Sequence, residues 1–259
     1  MNNLIAVWGK NGSGKSTVAS NLACCLAKRG CSTAIIGANR FYGALQYMFG
    51  VELSEEQSIR NVLTGRNEMG IEPYFREYGL VKGLFIASLS NADDCIGYQK
   101  FSADKATRFL NLAKNHFHYT IVDCDESTED PLSMLALTLA DKVIYVTKPN
   151  IQHAVFASAY ENLVAGLQIT DKMEVLFNCN KGVADVDSYQ PFHKAGRHSV
   201  LPFCKAFELT ENLGKPFMTL KSVGRTAKKY KTSMEAIAAM LYNELNENES
   251  GEVDHAYES

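Results

Sequence analysis

Two kinds of apolar spacing alternate along the chain. Short unbroken runs occupy Asn3–Trp8 (NLIAVW), Thr33–Gly37 (TAIIG), 84–88 (LFIAS), 119–124 (YTIVDC), Lys142–Thr147 (KVIYVT) and 173–178 (MEVLFN). A strand covered on both faces has no polar side to show, so these runs predict buried parallel strands. Between them apolar residues recur at helical spacing: Val18, Leu22, Cys25 and Leu26 within 15–29, and Phe101, Ala106, Phe109, Leu110 and Ala113 within 101–116. Residues 150–167 and 223–245 read as helices as well, and Ser54 with Gln57 forms a capping box ahead of Ile59, Val62 and Leu63. The alternation predicts an α/β fold, a doubly wound, mostly parallel sheet with helices on both faces. In such a sheet the ligand site lies at the carboxyl ends of the strands.

Composition narrows this picture. With 259 residues, 46% hydrophobic and 21% charged, the chain can bury a full core. It shows neither a low-complexity linker nor an internal repeat, so one domain is expected over 1–245, followed by an acidic, disordered tail over 246–259. A net charge of −3 argues against a globally basic nucleic-acid binder but leaves local patches open. No apolar run approaches the roughly 20 residues a bilayer span needs, and the first apolar stretch ends in a glycine-rich loop rather than a signal-peptide pattern. A cytoplasmic protein is expected. The seven cysteines form no C-x-x-C pair, and reduced, mostly buried thiols are expected in place of a metal cluster.

The chemistry begins where the first strand ends. Gly9, Lys10, Asn11, Gly12, Ser13, Gly14, Lys15, Ser16 and Thr17 fit the phosphate-loop pattern G-x-x-x-x-G-K-[ST] between a predicted strand and a predicted helix. Glycines let backbone N–H groups turn toward phosphate oxygens, and the helix N-terminus adds partial positive charge. Lys15 is expected at the β and γ phosphates of a nucleoside triphosphate and Ser16 on Mg²⁺, a cation that prefers hard oxygen ligands. The acid that completes such a site stands at the end of an apolar strand, which selects Asp123 as the second Mg²⁺-side residue. Asp125 is the alternative acid, or the group that polarises the attacking water. Asp125 and Glu126 can also be read as helix-capping acids ahead of Pro131.

Lys10 beside this loop, then Asn21-Leu22-Ala23 and Leu26-Ala27-Lys28-Arg29-Gly30, resembles the ParA/MinD family of deviant Walker A ATPases. The resemblance continues through Val143-Ile144-Tyr145-Val146-Thr147-Lys148-Pro149, Asn178, Leu201-Pro202 and Glu211-Asn212-Leu213-Gly214-Lys215-Pro216, about residues 1 to 220. It implies an ATP-dependent homodimer in which Lys10 of one subunit reaches the phosphates held by the other. Charge placed on the transferring group is the main catalytic device in phosphoryl transfer. It also implies contact of Asn178, and of Pro202, with the nucleotide; a buried asparagine satisfying a turn is the competing account of Asn178.

Two departures from the family pattern matter. Family members carry D-x-D after the second strand, where this chain has Gly37-Ala38-Asn39-Arg40. Asn39 can orient water but cannot act as a general base, so slow hydrolysis is expected unless Asp125 or Glu126 compensates. Asn11 replaces a glycine and is milder, since asparagine tolerates positive φ. Branches of the family differ in attachment. The acidic end Leu245-Asn246-Glu247-Asn248-Glu249 disfavours direct membrane binding. Lys221, Arg225, Lys228, Lys229 and Lys231 leave non-specific DNA open, beside a plain solvated helix face. The branch accompanying Tad/Flp pilus machines, and conjugation or partition systems, are the expected settings, although pilus members often carry an N-terminal receiver-like domain that is not seen here. Bacterial tyrosine kinases lack the Lys10 equivalent and carry a C-terminal tyrosine cluster, whereas this tail has only Tyr257. The expected function is a slow ATPase that positions or assembles another machine through a protein partner; the alternative is an ATP-binding adaptor whose hydrolysis has decayed. The aromatic-rich stretch from Phe41 to Tyr98 is read as core and partner surface together.

Overall fold

The structure is a computed structural model that describes residues 2–39, 41–65, 70–93, 101–127, 129–182, 184–193, 197–207, 213–221 and 224–254, with backbone alone at 179–180 and 247–254. Among the described residues the strands are β1 (Asn3–Trp8), β2 (Thr33–Gly37), β3 (Arg76–Glu77), β4 (Leu84–Ala87), β5 (Tyr119–Asp123), β6 (Lys142–Thr147), β7 (Met173–Asn180) and β8 (Arg197–Pro202). They form one sheet in the order β3-β4-β2-β5-β1-β6-β7-β8, parallel throughout except for the β3–β4 pair. The helices are α1 (Lys15–Lys28), α2 (Ala44–Phe49), α3 (Ile59–Thr64), α4 (Ala103–His116), α5 (Pro131–Leu139), α6 (Ile151–Ala159), α7 (Glu161–Gly166) and α8 (Arg225–Asp254).

The central strand shows why its run is apolar without interruption. Ile5 and Val7 face a core layer shared with Leu22 and Leu26 of α1 and Tyr230, Met234 and Leu241 of α8. Leu4, Ala6 and Trp8 face the opposite layer, with Phe109 of α4 and Leu132 and Ala136 of α5. Successive side chains of a strand point to opposite faces, and here both faces are covered. Register sets Val7 beside Asp123, and the Cys124 N–H donates to the Val7 carbonyl at 3.0 Å. The loops after β1 and β5 therefore leave the sheet side by side.

Several expectations change. The capping box forms only in part: the Ser54 N–H donates to Gln57 Oε1 at 3.1 Å within a turn, and Ser58 caps α3 by accepting from the Arg60 N–H. The helix expected over 150–167 breaks at Tyr160 into α6 and α7. There the Tyr160 ring stacks on Phe156, with centroids 4.2 Å apart, and meets the edge of Trp8. The helix α8 runs on into the segment expected to be a disordered tail, as far as Asp254. The strands that apolar runs did not announce, β3 and β8, are sheet edges rich in charged and polar residues. Edges are kept polar because an apolar edge invites pairing with other chains. Among the described residues no helix is long and apolar enough to cross a membrane, and five cysteines are free thiols. Cys95 lies outside the described residues.

Candidate nucleotide site

The loop between β1 and α1 is held from several directions. The Ser13 N–H donates to the Lys10 carbonyl at 3.0 Å, closing the turn. Gly9 has φ 143°, and a Cβ there would stand 2.2 Å from the Val146 carbonyl oxygen of β6. Gly14, the N-cap of α1, has φ 93°, and a Cβ would stand 2.3 Å from Asn178 Nδ2. Both positions exclude any side chain for steric and conformational reasons. Asn178 donates through Nδ2 to the Ser13 carbonyl at 2.8 Å, so its described contact is to the loop that would cradle the phosphates. No side chain among the described residues caps α1, leaving its first-turn N–H groups to a ligand.

The charged side chains converge on the same place. Lys15 is 8% exposed, and its ammonium donates to Asn11 Oδ1 at 3.0 Å. Burial lowers its pKa, against the raising influence of Asp123, Asp125 and Glu126. Asp123, at the end of β5, accepts from the Ser16 hydroxyl, and burial pushes its pKa up to about 6 against the pull of Ser16 and Lys15. Its Oδ1 is buried with no hydrogen-bond partner among the described residues. An orphaned carboxylate oxygen beside a hydroxyl is a donor set suited to a hard divalent cation.

The acidic segment after β5 divides its work differently from expectation. Asp130, not Asp125 or Glu126, caps α5, accepting from the Ser133 N–H at 2.9 Å and its hydroxyl at 2.6 Å. Asp130 followed by Pro131 and Ser133 is an N-cap signature that the residues themselves carry. Asp125 is half-buried: its Oδ1 accepts from the Ser127 N–H at 2.9 Å, and its own N–H donates to Ser133 Oγ at 2.8 Å. The Glu126 carboxylate instead accepts from the Asn11 N–H of the phosphate loop. Across the sheet end, the Ala38 N–H donates to the Asp123 carbonyl at 3.0 Å, which brings Asn39 close to the same corner. Asn39 Oδ1 is already engaged, accepting from the N–H groups of Phe41 at 2.9 Å and Tyr42 at 3.3 Å. Arg40 lies outside the described residues.

The remaining predicted residues are less concentrated. Lys10 is half-buried, and with Lys148 and Lys15 it adds to the burial that pushes His153 of α6 down to about 4, so these cations share one field. Thr17 and Asn21 line a hollow of about 200 Å³ with Tyr47, Met48, Lys215 and Pro216. Asn21 also accepts from the Met218 N–H at 2.8 Å, tying α1 to the turn after Pro216. Glu211 and Asn212 lie outside the described residues. Pro202 ends β8, in register with Asn180 at the sheet edge. Lys221, Arg225, Lys228 and Lys229 are exposed, whereas the Lys231 ammonium turns inward to the Leu220 carbonyl and the Phe217 ring. The aromatic-rich stretch separates cleanly: Tyr74 and Tyr78 are core, while Phe41, Tyr42 and Tyr47 are exposed beside the site.

The family model described as an AAA domain matches residues 2–168. The septum site-determining protein MinD of Neisseria meningitidis is 28% identical over 148 residues, 57% of this chain and 54% of that one. The chain spans about half to two-thirds of the length of the first curated relatives it matches. Among solved structures, MinD complexed with Mg-ADP from Pyrococcus horikoshii superposes with a TM-score of 0.74 at 19% identity, covering 92% of this chain and 96% of that one. A ParA family ATPase from Chlorobium tepidum gives a TM-score of 0.74 at 16% identity, covering 92% and 98%. The phosphate loop, its place beside the central strand and these matches together make the chain a member of the ParA/MinD family of P-loop ATPases.

Proposed function

We propose that the chain binds Mg·ATP at residues 9–17, dimerises on it, and cycles slowly as a cytoplasmic ATPase that positions or assembles a partner machine. The observation that carries this reading is the built phosphate loop, which carries Lys10 and sets Lys15 in the field of Asp123, whose Oδ1 is orphaned. Ser16 and Asp123 would hold Mg²⁺, which neutralises phosphate charge. Lys15 binds phosphate, the loop N–H groups orient it, and Lys10 serves the site of the second subunit. The hollow beside Thr17 would seat the nucleoside, and the exposed Phe41, Tyr42 and Tyr47 would meet a protein partner whose binding reads the nucleotide state. Partition, pilus and conjugation machines are the proposed settings, with non-specific DNA a further partner through the exposed cations of α8.

A second reading, an ATP-held adaptor with negligible turnover, is favoured by the engagement of Asn39 Oδ1 in its own turn. Sedimentation and phosphate release, measured together, decide between them. The cycling reading expects a dimer with ATP, a monomer with ADP and slow turnover, and Lys10→Ala retaining ATP binding while losing dimer and turnover. A stable ATP dimer without turnover selects the adaptor; a monomer under saturating Mg·ATP overturns both.

A further inference from the structure

On the α6–α7 side of the sheet, away from the phosphate loop itself, a half-open cavity of about 90 Å³ lies under the end of β1. Its inner wall is aromatic and buried: Trp8, the last residue before Gly9, and Tyr145 of β6, with ring centroids 5.4 Å apart. Tyr160, where the helix breaks, and Met173 complete the lining. Two of its lining residues, Tyr145 and His193, carry buried polar atoms without a hydrogen-bond partner among the described residues. His193 is 7% exposed, lines the cavity, and its Nε2 has no hydrogen-bond partner among the described residues. Burial, with His153 nearby, pushes its pKa down to about 4, so the ring is neutral at physiological pH. A buried polar atom without a partner calls for an occupant that supplies one.

We propose that this cavity binds a small neutral hydroxyaromatic molecule of the phenol class, its ring against Trp8, Tyr145, Tyr160 and Met173 and its hydroxyl on His193 Nε2. The size suits a single ring: a cavity of roughly 150 Å³ takes up benzene when fully closed, and this smaller one is open on one side. Stacked and edge-on rings favour an aromatic guest over an aliphatic one. A neutral guest is selected because the neutral imidazole supplies no counter-charge in a mostly apolar space. Mostly apolar walls with a few placed polar groups are the usual form of a small-molecule site.

Trp8 is the chain's only tryptophan, so its fluorescence reports occupancy directly. Phenol, toluene and benzoate are titrated into the full chain by calorimetry, with Trp8 emission followed in parallel. Phenol is expected to bind saturably and to change Trp8 emission, about five-fold or more tighter than toluene, the worth of one net hydrogen bond; benzoate is expected to be weaker than either. His193→Phe should abolish the preference of phenol over toluene. Val164→Phe, a partly buried change at the cavity wall, should block both while leaving Mg·ATP binding as in the parent chain. No saturable signal from phenol, or equal affinity for phenol and toluene in the parent chain, overturns the proposal, as does unchanged phenol binding in Val164→Phe.

Discussion

The loop after β1 and the loop after β2 leave the same end of the sheet, yet they are built to different standards. The first is fixed from outside itself: Asn178 of β7, the Val146 backbone of β6 and Glu126 after β5 all meet it. The second is held at Asn39 by that residue's own side chain, and it shows Phe41 and Tyr42 to solvent. A loop fixed by three neighbouring strands is preorganised before its ligand arrives, and preorganisation is what electrostatic binding and catalysis require. A loop that spends the Asn39 carbonyl oxygen on its own turn has lost that acceptor for water. On the proposed function, phosphate binding and hydrolysis should thus be separable, each altered without the other.

The largest effects should come from the preorganised side. Lys15→Ala removes the one ammonium buried in the loop and should weaken ATP by about a hundred-fold or more, as a lost charge-assisted phosphate contact does. Asp123→Asn should abolish the Mg²⁺-dependent part of binding while raising the stability of the nucleotide-free protein by about 1–3 kcal/mol at neutral pH. The sign follows from the shift: a folded-state pKa of about 6 lies above the ordinary 3.8, so the charged carboxylate costs stability above pH 6. That cost disappears as pH falls through about 6 toward 4. His153 and His193, pushed down to about 4, run the other way and withdraw stability from both proteins below about pH 6.5. Urea denaturation of the variant and parent side by side isolates Asp123, and a variant less stable than the parent at pH 7.5 (about the physiological range) would show that the carboxylate is already compensated.

Asn39→Asp tests the poorer loop. A carboxylate at this corner should raise ATP turnover by about ten-fold or more, within the range of general-base catalysis, with ATP affinity unchanged. Asn39→Ala should leave turnover where it is and destabilise the turn by about 1 kcal/mol. A loss of turnover in Asn39→Ala would erase the contrast, because the amide would then be serving water after all.

What the residues announced follows the same division. The central strands and the phosphate loop were legible because both depend on local spacing: apolar runs for strands buried on two faces, glycines and a lysine at fixed separations for the loop. The outer strands were not, since Arg197–Pro202 and Arg76–Glu77 gain their pairing from neighbours rather than from their own pattern. The supports of the site were equally silent. The Val146 carbonyl carries no side-chain signal, the contact of Glu126 with Asn11 joins residues 115 positions apart, and the break at Tyr160 serves packing against Trp8. Long-range partners of a local motif cannot be read from the motif.

Glu126 sharpens the comparison further. Its carboxylate occupies the Asn11 N–H, one of the donors of the phosphate loop. Glu126→Gln keeps the shape and removes a negative charge that an incoming triphosphate must oppose. ATP affinity should rise by about three- to ten-fold, and more at low ionic strength, where exposed charges are less screened. Weaker binding would instead show that the support Glu126 gives the loop outweighs the cost of its charge.

The smallest effect belongs to the far end of the fold, where charge is displayed rather than built in. Arg225, Lys228 and Lys229 are spaced three and four residues apart, so they share one exposed face of α8. Lys231 does not belong to that set, as its ammonium is spent on the Leu220 carbonyl and the Phe217 ring. Duplex DNA retention at low salt should therefore fall in the Lys228→Glu, Lys229→Glu double variant, and the slope of log affinity against log salt should shrink by about two. Lys231→Gln should leave that slope unchanged and lower stability instead, because it breaks an interior contact. Equal losses of retention from Lys231→Gln and from the double variant would mean that α8 binds DNA through a rearranged first turn; no retention by the parent chain would reduce these cations to a solvated helix face.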